Sequence, residues 1–253
     1  MRLNQMANFT TKMLSITTLT FFRFPSLKSK LWAFGQMQDA HFFIAKSPGL
    51  IFYKLMGSGR DAGFSLLPDL EVYALLGVWE NEQAANDFFN HSAIYKRYQE
   101  MSFEQWTIFM KPIQTKGLWS GGNPFTASSE LDANNPLIAV ITRATIKTNK
   151  LLKFWRYVPT SQRPIQSGCE GLIYTKGVGE VPIVQMATFS IWENMDSLKK
   201  YAYNSVEHRN AIKKTHQIDW YKEEMFTRFQ PFKSLGTWEG KDLLAPYLES
   251  ELN

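Results

Sequence analysis

Apolar residues alternate or recur at helical spacing along the first half of the chain, and these two periods divide it into six elements. Alternation over short runs predicts strands at 14–24, 50–57, 71–79 and 106–113. Apolar residues three and four positions apart predict helices at 27–46 and 82–101. The predicted order of elements is therefore β-α-β-β-α-β.

The second half of the chain gives the same order. Its predicted strands are 137–146, 171–177, 184–192 and 225–232, and its predicted helices are 149–158 and 195–221. Two units of the same kind thus follow one another.

A motif of four identical residues supports a duplication. Pro112-x4-Gly117-x-Trp119-x-Gly121 recurs 119 positions later, as PFKSLGTWEG. Self-similarity at a fixed spacing marks repeated structural units. We predict a first repeat at 12–121, a linker at 122–135 rich in Gly, Ser, Asn and Pro, and a second repeat at 136–242. Further matches recur 120 positions later, namely Arg23, Lys30, Leu31, Phe34, Gly57 and Gly59 with Arg143, Lys150, Leu151, Phe154, Gly177 and Gly179.

These repeats predict the fold class. A β-α-β-β-α-β unit is ferredoxin-like and forms an antiparallel sheet with both helices on one face, so that its other face needs a cover. Two tandem units cover each other when their sheets pack together, which predicts an α+β protein of the pseudo-dimeric α/β barrel type. The alternative of two independent domains would leave an aromatic sheet face exposed on each.

Composition narrows the class of protein. The net charge is +5, and the basic residues are scattered rather than gathered in runs, which argues against nucleic acid as a partner. The single cysteine, Cys169, cannot form an internal disulfide. Residues 14–24 are too short and polar to span a bilayer and lack the features of an export signal. We expect a cytoplasmic protein that can also contact the inner membrane at its periphery and can self-associate.

Two of the four histidines lie in the stretch SVEHRNAIKKTHQ (205–217). Ala211, Ile212 and Thr215 follow His208 at helical spacing, which predicts that its imidazole faces inward. The residues alone leave open whether His208 is a metal ligand or a hydrogen-bonded core histidine. His216, near the predicted helix end, fits an interaction with the helix dipole.

Other reactive patterns are weaker. The second repeat has a turn, TKGVGEVP, in which Lys176 and Glu180 flank two glycines, but the surroundings do not match a nucleotide-binding loop. Cys169 has no histidine nearby in sequence, and no serine lies in a Gly-x-Ser-x-Gly elbow. Hydrolysis through a nucleophile is therefore not indicated.

The sequence resembles the spheroidene monooxygenase family of acyclic carotenoid 2-ketolases over nearly its whole length. The matching stretches are FFRFPSLKSKLWAFGQM, FYKLMGSGRDAGF and KGLWSG in the first repeat, and ITRATIK, LLKFWRYVP, KGVGEVP, TFSIW and the segment from HRNAI to EEMFTRF in the second. The resemblance implies a monooxygenase with haem b that introduces a C2 keto group into spheroidene-type carotenoids, with dioxygen and electrons from reduced ferredoxin. Related barrels in dye-decolorising peroxidases, chlorite dismutases and aldoxime dehydratases also carry haem.

The resemblance also implies roles for particular residues. His208 becomes the axial iron ligand, and Arg143 and Lys176 become candidates for the distal side, where a cation holds a propionate or polarises dioxygen. Because Arg23 repeats Arg143 in the first half, a structural ion pair shared by both repeats stays an alternative for Arg143. Trp155, Gln185 and Glu180 become pocket candidates. Two alternatives stay open: a haem enzyme of different chemistry on the same barrel, aldoxime-dehydratase-like or haem-degrading, and a non-enzymatic barrel that binds a hydrophobic ligand.

Overall fold

A computed structural model describes residues 15–60, 65, 67–157, 169–204 and 217–248. Eight antiparallel strands close into one barrel in the order β1-β3-β2-β6-β7-β5-β8-β4. The strands are β1 (Ile16–Arg23), β2 (Leu50–Gly59), β3 (Pro68–Trp79), β4 (Glu104–Gly117), β5 (Ile138–Ile146), β6 (Leu172–Val181), β7 (Gln185–Trp192) and β8 (Tyr221–Gly236).

Each half of the barrel is one ferredoxin-like sheet. The first half has the order β4-β1-β3-β2, and the second has the corresponding order β8-β5-β7-β6. The halves are hydrogen-bonded edge to edge, where β2 pairs with β6 and β4 pairs with β8. The prediction of a tandem α/β barrel is therefore confirmed, and the pairing of the edges leaves no open sheet edge.

The described helices lie between the strands as predicted, except for a short one after β8, and the predicted helices 27–46 and 82–101 are each divided into two. The described helices are α1 (Leu27–Asp39), α2 (His41–Ile44), α3 (Glu82–His91), α4 (Ala93–Met101), α5 (151–157), α6 (Met195–Asn204) and α7 (Ala245–Leu248). The predicted helix 82–101 breaks at Ser92, which has extended backbone and accepts a hydrogen bond from the N–H of Tyr95, so that it starts α4 as an N-cap. The predicted end of helix 195–221 is wrong, because residues 219 and 220 are not helical and β8 begins at Tyr221.

Strand pairing corrects the alignment of the two repeats by two residues. Ile16 lies opposite Trp79 and Ile138 opposite Trp192, so counterparts on β1 and β5 are 122 positions apart, not 120. The same spacing relates Gly57 to Gly179, which pair with each other where β2 meets β6. A pseudo-twofold axis therefore passes between these glycines.

Aromatic and aliphatic side chains fill the barrel. The interior cluster includes the four large residues Phe21, Trp106, Phe189 and Phe229, and Trp119 and Trp238 of the duplicated motif insert into it from opposite repeats. A second cluster lies outside the first half, between its sheet and α1 to α4. Because both faces of the first sheet are covered, seven of the eight residues of β1 are buried, its three threonines among them.

None of the described helices is long and apolar enough to cross a membrane.

Candidate functional site

An exposed position interrupts the outer face of the second half-sheet. Thr142 lies in the middle of β5, on the same face as Val140 and Ile146, which are buried in two separate clusters. Between those clusters Thr142 is exposed, and Thr188 and Ser190 of the adjacent strand are half-buried. We call this part of the outer face, which carries Thr142, Thr188, Ser190, Phe226 and Arg228, the outer groove.

The corresponding surface of the first half is filled. Thr20, the counterpart of Thr142, is 0% exposed, and its hydroxyl lies 2.9 Å from the hydroxyl of Thr107. Leu75 occupies the place of Thr188 and is buried beneath the helices together with Phe22. The two halves therefore share a backbone but differ in how it is covered: Thr20 is buried, whereas Thr142 is exposed.

Apolar clusters bound the groove on both sides. Trp192 stacks on Tyr201 of α6, with ring centroids 5.2 Å apart, and its indole N–H donates to Ser190 at 2.9 Å. On the other side Trp220 packs against Phe154 of α5, with centroids 5.3 Å apart. A flat apolar ligand lying between them would contact apolar surface at both ends.

Arg143 lies on the opposite face of the same sheet, inside the barrel. Its guanidinium pairs with the carboxylates of Glu223 and Glu180, the latter at 3.3 Å, and only 2% of its side chain is exposed. Lys54 also pairs with Glu180, so the cluster contains two cations and two carboxylates. Trp119 donates its indole N–H to Glu180 at 2.7 Å.

Glu223 joins this cluster to the other repeat. It accepts backbone N–H groups from Gly121 at 2.7 Å and Ser120 at 3.1 Å, in the Trp-x-Gly turn of the first repeat. Partial burial raises the pKa of the Glu223 carboxyl, but the two N–H donors and the Arg143 guanidinium outweigh that effect and hold the pKa below its ordinary value.

The pseudo-twofold axis repeats the arrangement at the other end of the barrel. Glu104, the counterpart of Glu223, accepts the N–H of Gly240 at 2.7 Å and the hydroxyl of Thr237 at 3.0 Å, and it pairs with Arg23 at 3.3 Å. Each repeat thus holds the Trp-x-Gly turn of the other, which gives the duplicated motif a structural role.

The remaining predicted site residues lie in different places. Lys176 pairs inside the barrel with Asp69 at 2.9 Å. Trp155 lies on the outer side, where its indole N–H donates to the carbonyl of Ile183 at 3.2 Å. Gln185 begins β7 opposite Thr145. The sheet therefore separates Arg143 and Lys176, inside the barrel, from Trp155 on its outer side.

The histidines do not form a described site. His208 and His216 lie outside the described residues. His41 and His91 are exposed on helices of the first half, and Nδ1 of His41 lies 3.0 Å from the hydroxyl of Tyr53. Within the described ranges, no three His, Cys, Asp or Glu side chains are grouped to hold a metal ion.

A pocket of about 450 Å³ lies where β4 ends beside the start of β8, away from the outer groove. Asp219, Lys222, Glu223 and Glu224 contribute most of its charge. A surface with three carboxylates is a poor match for an apolar substrate.

Sequence reasoning did not single out the residues that define the outer groove and the charge cluster around Glu223. Thr142 and Arg228 lie in the family stretches ITRATIK and EEMFTRF, but nothing in those stretches singles them out. The structure does so through the exposure of Thr142 and, among the described residues, the lack of a carboxylate paired with Arg228. Glu223 had a usable signal, because Glu104 recurs as Glu223 at the same spacing of 119 as the Trp-x-Gly motif.

Comparison with solved structures identifies the class of fold. An aldoxime dehydratase in complex with butyraldoxime superposes with a TM-score of 0.62 at 10% identity, covering 92% of this chain and 86% of the dehydratase. Another aldoxime dehydratase gives a TM-score of 0.59 at 11% identity, with coverage of 86% and 81%. The protein is therefore a tandem α/β barrel of the architecture that these enzymes share. No family model matches the sequence.

Sequence relatives identify the family. The spheroidene monooxygenase of Cereibacter sphaeroides is 37% identical over 226 residues, which cover 89% of this chain and 69% of the relative. That of Rhodobacter capsulatus is 32% identical over 232 residues, covering 91% and 95%. The chain belongs to the spheroidene monooxygenase family, as the resemblance of its motifs indicated, and it is an oxidoreductase of the monooxygenase class.

Proposed function

We propose that this protein is a haem-dependent monooxygenase that introduces a C2 keto group into an acyclic carotenoid, converting spheroidene to spheroidenone with dioxygen and electrons from reduced ferredoxin. The observation that carries the proposal is the similarity to the Rhodobacter capsulatus enzyme along 91% of this chain and 95% of that one. A match of this extent covers both repeats rather than one shared domain.

The outer groove fits a flat cofactor with apolar faces and an anionic edge. It occurs in one repeat only, apolar clusters bound it, and Nε of Arg228 is buried beside it without an acceptor. When bound, haem supplies an iron that binds and activates dioxygen. His208 is the proposed axial ligand, from the family resemblance.

The residues of the chain would bind and orient the reactants. The clusters around Trp192 and Trp220 would exclude water from the edges of the cofactor, and the short side chains of Thr142, Thr188 and Ser190 would face it. A long polyene is too extended for an enclosed pocket, and a groove open at the surface lets one end approach while the rest stays outside.

A second surface supports peripheral contact with the membrane in which such a substrate dissolves. Leu27, Leu31 and Phe34 lie at helical spacing on the solvent side of α1, and all three are exposed. We call them the apolar ridge. Residues 25–51 contain three lysines and one acidic residue, so the surroundings of the ridge are complementary to anionic lipid. We propose that the ridge inserts among lipid head groups.

The test of the cofactor is optical. Protein produced with a haem supply should show a Soret band, and His208→Ala should shift or abolish it while the far-ultraviolet circular dichroism stays unchanged. Absence of haem from correctly folded wild-type protein would overturn the haem proposal and favour a barrel that binds a hydrophobic ligand without catalysis.

The test of the reaction is product formation. Haem-loaded protein with spheroidene, dioxygen and reduced ferredoxin should yield the ketone. If haem is bound and reducible but no oxygenated carotenoid forms, the alternative of a haem enzyme with different chemistry, aldoxime-dehydratase-like or haem-degrading, replaces the carotenoid reaction.

A further inference from the structure

We infer that Arg228 is an anion anchor of the outer groove and binds a carboxylate of the group held there, which in the proposed function is a haem propionate. This inference rests on the proposed haem site. It assigns a binding role to a residue in which neither the motifs nor the spacing suggested chemistry.

The position of Arg228 on the sheet places it on the outer face of β8, beside the groove. In the strand register, Arg228 lies opposite Val140 of β5 on one side and opposite Gln114 of β4 on the other. It shares the outer face with Phe226, two residues away, and its guanidinium carbon lies 5.3 Å from the centre of that ring. Phe226 in turn lies opposite Thr142 on the adjacent strand. Arg228 is therefore a diagonal neighbour of the exposed threonine, on the next strand and two residues further along it.

The hydrogen-bonding capacity of Arg228 is largely unused. A guanidinium has five N–H donors, and here Nη1 donates to Oε1 of Gln114 at 3.2 Å while the buried Nε has no acceptor. Among the described residues, no carboxylate forms an ion pair with Arg228. A half-buried cation without a counter-ion is unfavourable, and a bound carboxylate would supply both charge and acceptors.

Two other buried or half-buried arginines, Arg143 and Arg23, differ from Arg228 because each has carboxylate partners. Arg143 also has a buried Nε without an acceptor, but its terminal nitrogens bind two carboxylates. Arg23 binds Glu104 and Glu239. The counterpart of Arg228 in the first repeat is Phe109, which is fully buried under the helices. An apolar packing residue in the filled half thus corresponds to an unpaired cation in the half with the groove.

The experiment compares haem with haem dimethyl ester, in which both carboxylates are masked. Each is titrated into wild type, Arg228→Leu, Arg228→Lys and the control Arg97→Leu, and binding is followed by the Soret band. Arg97 is a matched control, because it is an exposed arginine that pairs with Glu100 on the same helix, away from the groove. Thermal unfolding of each apoprotein shows whether it is folded.

We expect Arg228→Leu to weaken haem binding about tenfold to a hundredfold, as the loss of a charged hydrogen bond predicts. Arg228→Lys should lose less, and Arg97→Leu should bind as wild type does. Wild type should prefer haem to its ester, and Arg228→Leu should lose that preference. This comparison on wild type keeps the test independent of how well the leucine variant folds.

Two results would overturn the inference alone: equal haem affinity in wild type and Arg228→Leu, or wild-type protein that binds haem and ester equally. If wild type binds neither, the proposed cofactor fails and the anchor with it. The two kinds of failure are thus distinguished by whether wild-type protein binds haem at all.

Discussion

Replacement of Glu223 by glutamine tests the charge cluster that joins the two repeats. Glutamine keeps an oxygen for the N–H groups of Gly121 and Ser120 but removes the negative charge beside Arg143. Arg143 is only 2% exposed and would retain Glu180, which it shares with Lys54. Breaking a buried ion pair typically costs about 3–5 kcal/mol. Because the backbone contacts and the pair with Glu180 remain, we expect Glu223→Gln to lower the free energy of unfolding by about 3 kcal/mol.

The pseudo-symmetric variant Glu104→Gln is the matched control. It removes the same charge from the same kind of turn, but its partner Arg23 is 27% exposed and can be solvated when the pair is broken. Because solvent screens this pair, we expect Glu104→Gln to lower the free energy of unfolding by about 1 kcal/mol. Urea unfolding followed by tryptophan fluorescence should therefore separate the variants by about 2 kcal/mol, with the larger loss in Glu223→Gln.

The pH dependence gives an independent check. The native pKa of Glu223 lies below the ordinary value of 4.5, so the charged carboxylate stabilises the fold above that pH and its contribution is lost as the pH falls through the native pKa. The difference between wild type and Glu223→Gln should be complete at neutral pH and shrink below 4.5. Equal losses in the two variants, or a difference that stays constant into acid, would refute this account of the cluster.

Two further predictions concern the groove and the ridge. Thr142→Phe should fill the groove and abolish the Soret band with little change in melting temperature. The control Thr20→Phe should overpack the filled half and destabilise the protein by about 1–3 kcal/mol. Haem binding that survives in Thr142→Phe would place the cofactor elsewhere. Replacing Leu31 and Phe34, which are 63% and 65% exposed, by serine should weaken sedimentation with anionic vesicles about tenfold. Leu152→Ser, at a residue 91% exposed on α5, should not weaken it. If the serine variant instead separates a protein dimer and leaves vesicle binding unchanged, the ridge is a contact between two copies.

The hydrophobic pattern was sufficient to predict the fold, because strand and helix periods follow one another in the same order in both repeats. Each half alternates where it forms strands, and the Trp-x-Gly motif fixed the relation between the halves. The matches at a spacing of 120 nevertheless misplaced β1 against β5 by two residues. Identical residues such as Arg23 and Arg143 reach similar carboxylates from different positions, since a long side chain can compensate for a shift along the strand.

The candidate site was much less accessible from the sequence. Arg143 and Lys176 are candidates because they are cations in stretches that resemble the family. Their partners Glu180, Glu223 and Asp69 come from other strands. The chain alone does not show which charges are neutralised by distant residues. For the same reason the unpaired state of Arg228 becomes visible only when all strands around it are in place.

The sequence by itself determined the duplicated β-α-β-β-α-β order, the α/β barrel and the family, because periodicity and ordered motifs are local properties of the chain. Tertiary structure decided where the groove lies. Thr20 and Thr142 are the same residue at equivalent places, yet one is fully buried and the other exposed. Their difference arises from neighbours on adjacent strands and from the packing above each sheet, and exposure of this kind is a property of the assembled layers rather than of any segment.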